Sequence, residues 1–199
     1  MSRTESAMRQ DSLIARAAEW TRALFRGEST GHGADHALRV CENALRLADA
    51  EGPCDRQLIA LAALLHDADD PKLFATENNA NARTFLGENG VPAERADRIC
   101  RIVNGVSFSR NRLRRPDTPE GRIVQDADRL DALGAVGIAR TFAYGGAHGR
   151  SLEDSLAHFR EKLLLLRDGM NTPAAREMAE ERHAFLLLFM REMEKERGE

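Results

Sequence analysis

Residues 58–70 read LIALAALLHDADD, an apolar run that ends in a His-Asp pair and two further aspartates. The spacing of its Leu and Ala residues predicts a helix that is buried over most of its surface. His66 and Asp67 therefore stand at the end of a buried helix. A charged carboxylate is costly to bury unless it is paired or binds a metal, and no Lys or Arg follows before Lys72. This arrangement favours a metal site.

Two other stretches with helical spacing carry the same kinds of side chain. Residues 35–49 (DHALRVCENALRLAD) include His36, and residues 123–142 (IVQDADRLDALGAVGIARTF) include Asp128. Two imidazoles and two carboxylates are a mixed nitrogen–oxygen set that holds a divalent cation and leaves positions open for water and substrate. Asp126 is the alternative to Asp128, because the sequence Asp126-Ala127-Asp128 offers two carboxylates. Two residues apart on a helix, these carboxylates point in different directions.

The apolar spacing is helical along nearly the whole chain, and no stretch alternates convincingly as a strand. This pattern predicts an all-α fold, a bundle of about eight helices with the metal site in a central cleft. Pro71 is expected to stop the helix that carries the His-Asp pair, and residues 123–142 are expected to lie in one long helix. In the last helix, Phe185, Leu188 and Phe189 are expected to pack inward.

Composition limits the class of protein. The chain has 199 residues, of which 42% are hydrophobic and 31% charged, and it shows no repeats or long linkers, so we expect one domain over residues 1–199. The net charge of −3 does not favour nucleic-acid binding. Three cysteines without a CxxC pair suit a reducing compartment. The two longest apolar runs, residues 58–65 and residues 184–190, are both too short to cross a bilayer, so a cytoplasmic protein without membrane contact is expected. It is expected to be a monomer or a homodimer.

Three segments taken in order resemble one family. They are GHGADHALRV (31–40), ALLHDADD (63–70) and VQDADRLDALGAVGIARTFAYGG (124–146). They resemble the HD-domain metal-dependent phosphohydrolase superfamily, whose pattern is His, His-Asp and Asp. The resemblance runs from about residue 31 to residue 150, which would be the metal-binding core on which the N- and C-terminal helices pack. The four metal ligands that it implies are His36, His66, Asp67 and Asp128.

The resemblance also implies a chemistry. It is strongest to small single-domain bacterial HD proteins that include nucleoside triphosphate pyrophosphohydrolases. The expected reaction is hydrolysis of (deoxy)nucleoside triphosphates to monophosphate and pyrophosphate by a metal-activated water. One divalent ion is expected, Mn²⁺ or Mg²⁺ first, with iron, cobalt, nickel or zinc as alternatives. A nucleoside monophosphate phosphatase or a phosphodiesterase would be an alternative within the superfamily. A non-catalytic, metal-binding nucleotide sensor would be an alternative outside enzymes.

Candidate proton-transfer groups lie beside the expected ligands. Asp70 is the first candidate, because related enzymes often place an acidic residue there, and Asp69 is the alternative. The competing interpretation for both is a solvated acid at a helix end. His32 lies one helical turn before His36, where it could donate to a phosphate or hold a water molecule.

The expected substrate is an anionic small molecule, a nucleotide or another phosphorylated compound, so arginines and aromatic side chains are candidates to bind it. Arg39 could share the site-facing side of the His36 helix, or could pair with Glu42 instead. The densest basic stretch comes just before the Asp128 helix, where it could clamp a triphosphate or form a solvated loop. Tyr144 could stack on a base or a sugar. The other candidates for substrate binding, all in the basic stretch, are Arg110, Arg112 and Arg115.

Overall fold

A computed structural model describes residues 12–27, 33–107, 111 and 114–198. These residues form α-helices joined by turns and contain no strand, so the predicted all-α class is confirmed. Two short 3₁₀ helices, Leu163–Leu165 and Arg167–Gly169, precede the last helix. The α-helices of the described ranges are α1 (Ser12–Leu24), α2 (Ala34–Glu51), α3 (Arg56–Leu65), α4 (Ala80–Glu88), α5 (Ala93–Val106), α6 (Pro119–Asp131), α7 (Gly134–Ala147), α8 (Leu152–Glu161) and α9 (Pro173–Arg197).

Helix α3 is the centre of the bundle. Every residue from Leu58 to Leu65 is at most 1% exposed, and α1, α2, α5 and α6 pack around it. Its first turn is capped by Asp55, whose carboxylate accepts a hydrogen bond from the Leu58 N–H at 2.9 Å. The same carboxylate accepts bonds from both terminal nitrogens of Arg95, at 2.8 and 2.9 Å. The residues that follow α3 are therefore positioned by the rigid core.

Helix α3 ends at Leu65, so the prediction that it continues to Pro71 was wrong. The chain turns from His66 to Asp69 instead. The carboxylate of Asp69 accepts hydrogen bonds from the N–H groups of Asn81 and Ala82, at 2.9 and 3.1 Å, at the start of α4. An aspartate carboxylate can accept hydrogen bonds from backbone N–H groups outside its own helix, which competes with helix formation. The bonds of Asp69 to the start of α4 therefore favour a turn after Leu65 over a longer α3.

The predicted single helix over residues 123–142 is two helices. Helix α6 ends at Asp131, and α7 begins at Gly134, which has φ +69°. This left-handed conformation is accessible to glycine at little cost and turns the chain between the two helices. Leu133, in the turn, is 1% exposed and joins the core. Residues on α6 and α7 therefore meet at an angle that one continuous helix would not allow.

Helix α9 covers the bundle with a different face from the one predicted. Leu186 and Met190 are buried and Phe189 packs against the core, whereas Phe185 and Leu188 are 47% and 54% exposed. The inward face could not be predicted from residues 184–190, because every position in this run is apolar and no helical period is visible. Among the helices of the described residues, none combines the length and the apolar character needed to cross a membrane.

Candidate metal centre

Four side chains from three helices meet at one point. His36 lies in the first turn of α2, His66 and Asp67 directly follow α3, and Asp128 lies on α6. The Nε2 atoms of the two histidines are 3.2 Å apart. The Nε2 atom of His36 lies 3.6 Å from Asp67 Oδ2 and 3.4 Å from Asp128 Oδ1. The Nε2 atom of His66 lies 3.4 and 3.7 Å from the same two oxygens.

The end of α3 explains how two adjacent residues reach one point. Neighbouring residues within a helix point about 100° apart, since a turn takes about 3.6 residues. His66 is already the C-cap of α3, and the chain turns after it. The Nδ1 atom of His66 lies 2.8 Å from the carbonyl oxygen of Ala63, so Nδ1 donates there and Nε2 is left for the cluster.

His36 is oriented by a fifth residue, Asp131, which the sequence analysis did not single out. The Nδ1 atom of His36 lies 2.7 Å from Oδ2 of Asp131, which is 2% exposed. Arg39 and Arg140 also donate to this carboxylate, at 2.8 and 2.7 Å. Burial alone would raise the pKa of Asp131, but the bonds from His36 and Arg39 outweigh burial and hold it far below its usual range. A sequence signal exists, because Asp131 follows Asp128 by three residues on one helix face.

The donor atoms have the spacing that one ion requires. Two ligand atoms at about 2.1 Å from an ion lie about 3.0 Å apart at right angles and about 3.4 Å apart in a tetrahedron. The measured separations of 3.2–3.7 Å are within a few tenths of an ångström of these values. His36, His66 and Asp67 alone already form a group able to hold a metal ion. The residues therefore fit a divalent cation.

The electrostatics of the cluster favour positive charge at its centre. Burial lowers the pKa of the His66 imidazole, but the charges of Asp67 and Asp128 outweigh burial and raise it to about 9. Burial would raise the pKa of Asp128, but the bond from His36 and the charge of His66 lower it. Asp128 thus favours its ionised form, which attracts a cation, and a metal would compete with the imidazole proton.

Asp126, the alternative to Asp128, points away from the cluster. Its carboxylate accepts four hydrogen bonds of 2.8 Å, from the N–H and side-chain amide of Asn171 and from the N–H and hydroxyl of Thr172. These residues lead into α9. The structure therefore brings Asp128 to the imidazoles and assigns Asp126 to the junction between α6 and α9, as expected for positions two apart on a helix.

The candidate proton-transfer acids differ in their partners. Both carboxylate oxygens of Asp69 accept backbone N–H groups at the start of α4. Asp70 accepts one bond, from the N–H of Lys72 at 3.0 Å. Both acids line the cavity beside the cluster. His32 lies outside the described residues.

A cavity of about 210 Å³ opens beside the cluster, and its lining also includes basic side chains. Lys72, Arg140 and Lys162 line both this cavity and a second one of about 170 Å³. We call these two adjacent cavities together the substrate groove. The three residues come from separate segments, so no local sequence pattern could have predicted that they lie together.

The predicted substrate-binding residues lie in different places. Tyr144 lines the second cavity of the substrate groove, where its ring stacks on His148 with centroids 3.9 Å apart. Arg39 is bound to Asp131 and is not among the lining residues, and Arg46 rather than Arg39 pairs with Glu42. Arg115 lines a third cavity rather than the substrate groove. Arg110 and Arg112 lie outside the described residues.

Comparison with known proteins identifies the family. Residues 33–133 match the family model of the HD domain. The protein YpgQ of Bacillus subtilis strain 168 is 44% identical over 185 residues, which cover 89% of this chain and 90% of YpgQ. The crystal structure of YpgQ in complex with ADP superposes with a TM-score of 0.77 at 38% identity, covering 92% of this chain and 97% of that one. An HD-superfamily hydrolase from Bacillus thuringiensis superposes with a TM-score of 0.74 at 39% identity, covering 93% and 96%. The chain therefore belongs to the HD-domain family of hydrolases.

Proposed function

We propose that this protein is a divalent-metal-dependent phosphohydrolase that converts (deoxy)nucleoside triphosphates into monophosphate and pyrophosphate. The observation that carries the proposal is that groups of opposite charge line one cavity. Its lining includes both the imidazole–carboxylate cluster and the basic residues Lys72, Arg140 and Lys162. Carboxylates and imidazoles bind cations, whereas ammonium and guanidinium groups bind phosphate oxygens. A substrate that contacts both sets of groups needs several anionic oxygens in a row, as a triphosphate has.

The four converging side chains, His36, His66, Asp67 and Asp128, are the proposed ligands, and Mn²⁺ or Mg²⁺ is the proposed ion. When bound, such an ion supplies Lewis acidity at a phosphoryl oxygen and lowers the pKa of a coordinated water. The protein's own part is to orient the donors. Asp131 holds the His36 ring with its Nε2 lone pair toward the cluster, and the Ala63 carbonyl does the same for His66.

We assign proton transfer to Asp70. Its carboxylate lines the cavity and accepts a single hydrogen bond, at one oxygen, from the N–H of Lys72. Asp69 is the weaker candidate because both of its oxygens hold the start of α4. A group that moves a proton must have an oxygen available to the reacting atoms, which Asp70 has.

The second cavity of the substrate groove is the proposed site for the nucleoside. Tyr144 and Arg150 line this cavity, the guanidinium of Arg150 lies 4.9 Å from the Tyr144 ring centroid, and the Tyr144 ring also stacks on His148. Aromatic and cationic surface of this kind suits a base or a ribose. The structure of the YpgQ–ADP complex, in a protein 38% identical to this one, supports a nucleotide as the substrate.

A metal-by-substrate panel with product identification tests the proposal. The protein is incubated with Mn²⁺ or Mg²⁺ and with nucleoside triphosphates, nucleoside monophosphates or cyclic nucleotides. Pyrophosphate released from triphosphates is the expected product. Orthophosphate released from monophosphates would establish a phosphatase instead, and a ring-opened monophosphate would establish a phosphodiesterase. Tight binding without product over hours would establish a sensor.

The role of the basic residues that line the substrate groove is tested by a matched pair of lysine variants. Lys162→Gln removes a half-buried ammonium of the substrate groove, so KM for the triphosphate should rise about ten-fold, the usual loss for one charge-assisted hydrogen bond. Lys195→Gln removes an exposed ammonium on α9 that pairs with Glu192, and KM should not change. Equal KM values for Lys162→Gln and the wild type would place the phosphates elsewhere.

A further inference from the structure

A third cavity lies beside the substrate groove and is the largest of the three. Its volume is about 430 Å³, and it opens between α5 and the start of α6. Its lining shares Asn104 with the cavity beside the metal cluster and shares nothing with the second cavity of the groove. We call it the arginine cavity after the residues that line it, Arg98, Arg101, Arg114 and Arg115.

The charges of this cavity are unbalanced. Its lining contains four guanidinium groups and two carboxylates, those of Asp117 and Glu120. Within the described part of the chain, no carboxylate lies within ion-pair distance of Arg98, Arg101 or Arg114. By contrast, arginines elsewhere form pairs, such as Arg83 with Asp97 and Arg95 with Asp55. Guanidinium groups that outnumber the carboxylates around one concavity are suited to an anion with several oxygens, which they bind by paired hydrogen bonds.

The start of α6 adds a second source of positive potential. Thr118, Glu120 and Gly121 line the cavity, and the Thr118 hydroxyl accepts the Gly121 N–H at 3.1 Å as the helix cap. The N-terminal end of a 13-residue helix carries a partial positive charge that favours anions. The arginines and the helix end therefore act on the same space.

Part of the cavity lining is apolar. Leu58, Ile102 and Pro116 line it beside the arginines and several polar residues. A free inorganic phosphate would leave this surface uncovered, whereas a phosphate attached to a flat ring system would cover it. The volume also exceeds that of either part of the substrate groove. The chemistry points to a nucleoside phosphate.

We propose that the arginine cavity is a second nucleotide site. It binds a nucleoside phosphate independently of the metal ion and of the residues that hold it. It lies next to α6, the helix of Asp128, and is tied to it by hydrogen bonds. Buried Gln125, on α6, donates to the carbonyl oxygens of Gly105 and Arg114, at 2.8 and 3.2 Å. The site does not depend on the proposed reaction, because none of its lining residues belongs to the metal cluster.

Calorimetric titration with ADP in EDTA tests the site directly, because chelation removes metal-dependent binding. Arg98→Gln/Arg101→Gln should weaken ADP binding about ten-fold or more, the loss expected for one or two charge-assisted hydrogen bonds. The matched control is Arg26→Gln/Arg191→Gln, which removes the same charge from two exposed arginines that lie outside all three cavities, and its affinity should equal that of the wild type. The Arg98/Arg101 variant should keep its metal-dependent turnover.

A second measurement uses the unmodified protein. Phenylglyoxal modifies exposed arginines, and mass spectrometry reports the site. ADP in EDTA should protect Arg98 and Arg101 and leave Arg26 and Arg191 unprotected. The proposal is overturned if ADP protects Arg140 or Arg150 alone, or if the Arg98/Arg101 variant binds ADP as tightly as the control variant. If neither the wild type nor either variant hydrolyses nucleotides with metal, the proposed function is contradicted. The result for ADP binding in EDTA would be unaffected.

Discussion

The imidazole of His36 donates from Nδ1 to the buried carboxylate of Asp131 at 2.7 Å, while its Nε2 atom faces His66 at 3.2 Å. One ring thus joins the metal cluster to a buried ion-pair network, because Arg39 and Arg140 donate to the same carboxylate. A carboxylate behind a histidine fixes the tautomer and increases the basicity of the nitrogen that binds the metal. We therefore expect Arg39 to affect the site through Asp131, whose carboxylate it binds.

Asp131→Asn should weaken metal binding by about 10–100-fold, the usual effect of losing such a supporting carboxylate. An amide can still accept the His36 N–H, but it lacks the charge that holds the ring and the two arginines. Titration with Mn²⁺ measures the change. Asp168→Asn, at an exposed aspartate that pairs with Arg167, is the control and should bind metal normally. Unchanged affinity in Asp131→Asn would show that the network has no influence on the ion.

Asp126 and Asp128 should respond oppositely to alanine substitution. Asp128→Ala should lose bound metal and activity together while the protein stays folded. Asp126→Ala should instead lower the free energy of unfolding by about 3 kcal/mol or more, because four buried donors at the start of α9 would lose their acceptor. Metal analysis and urea unfolding of both variants measure the two effects. Loss of metal from a stable Asp126→Ala protein would show that Asp126, rather than Asp128, binds the metal.

Asp70→Asn should slow turnover by about 10²–10⁴-fold and leave the metal content nearly intact, as expected for loss of a proton-transfer group. Steady-state kinetics and metal analysis on the same sample separate the two effects. Asp69→Asn is the neighbouring control, and it should mainly lower stability, by about 1 kcal/mol, because Asp69 caps α4. If Asp70→Asn also loses the metal, Asp70 is itself a ligand.

The cap of α3 gives a prediction for pH dependence. Burial acts to raise the pKa of Asp55, but the bond from Arg95 and the Leu58 N–H outweigh burial and lower it. A lowered pKa in the folded protein means that the stabilisation is complete above the pKa of the unfolded chain, about 4, and is lost as pH falls through the lower folded value. Asp55→Ala should therefore destabilise the protein by about 1–2 kcal/mol at pH 7.

Urea unfolding of Asp55→Ala and the wild type at several pH values provides the measurement. The difference between the two proteins should be constant from pH 7 to about pH 5 and should shrink at lower pH, as the wild-type carboxylate takes up its proton. Asp117→Ala, at an exposed aspartate, should show little difference at either end of the range. A difference that grows as the solution becomes more acidic would contradict the assigned direction.

Periodicity and residue chemistry predict much of this protein because both are properties of short segments. The helical spacing of residues 58–65 and the His-Asp pair after them can be recognised from the sequence alone. Runs without polar residues carry less information, which is why the inward face of α9 could not be predicted from them.

Other features depend on segments that are distant in the chain. Asp131 supports His36 only because α2 packs against α6, and Lys72, Arg140 and Lys162 line one cavity only because three separate segments meet there. The end of α3 at Leu65 likewise depends on Asp69 bonding to backbone at the start of α4. Helix propensity and hydrophobic period act over a few residues, whereas hydrogen bonds and charges act across whatever the packing brings together. The amino-acid order thus predicts the all-α class and the candidate ligands, whereas the packing decides where the helices end, which acids converge with the imidazoles, and which basic residues line a cavity.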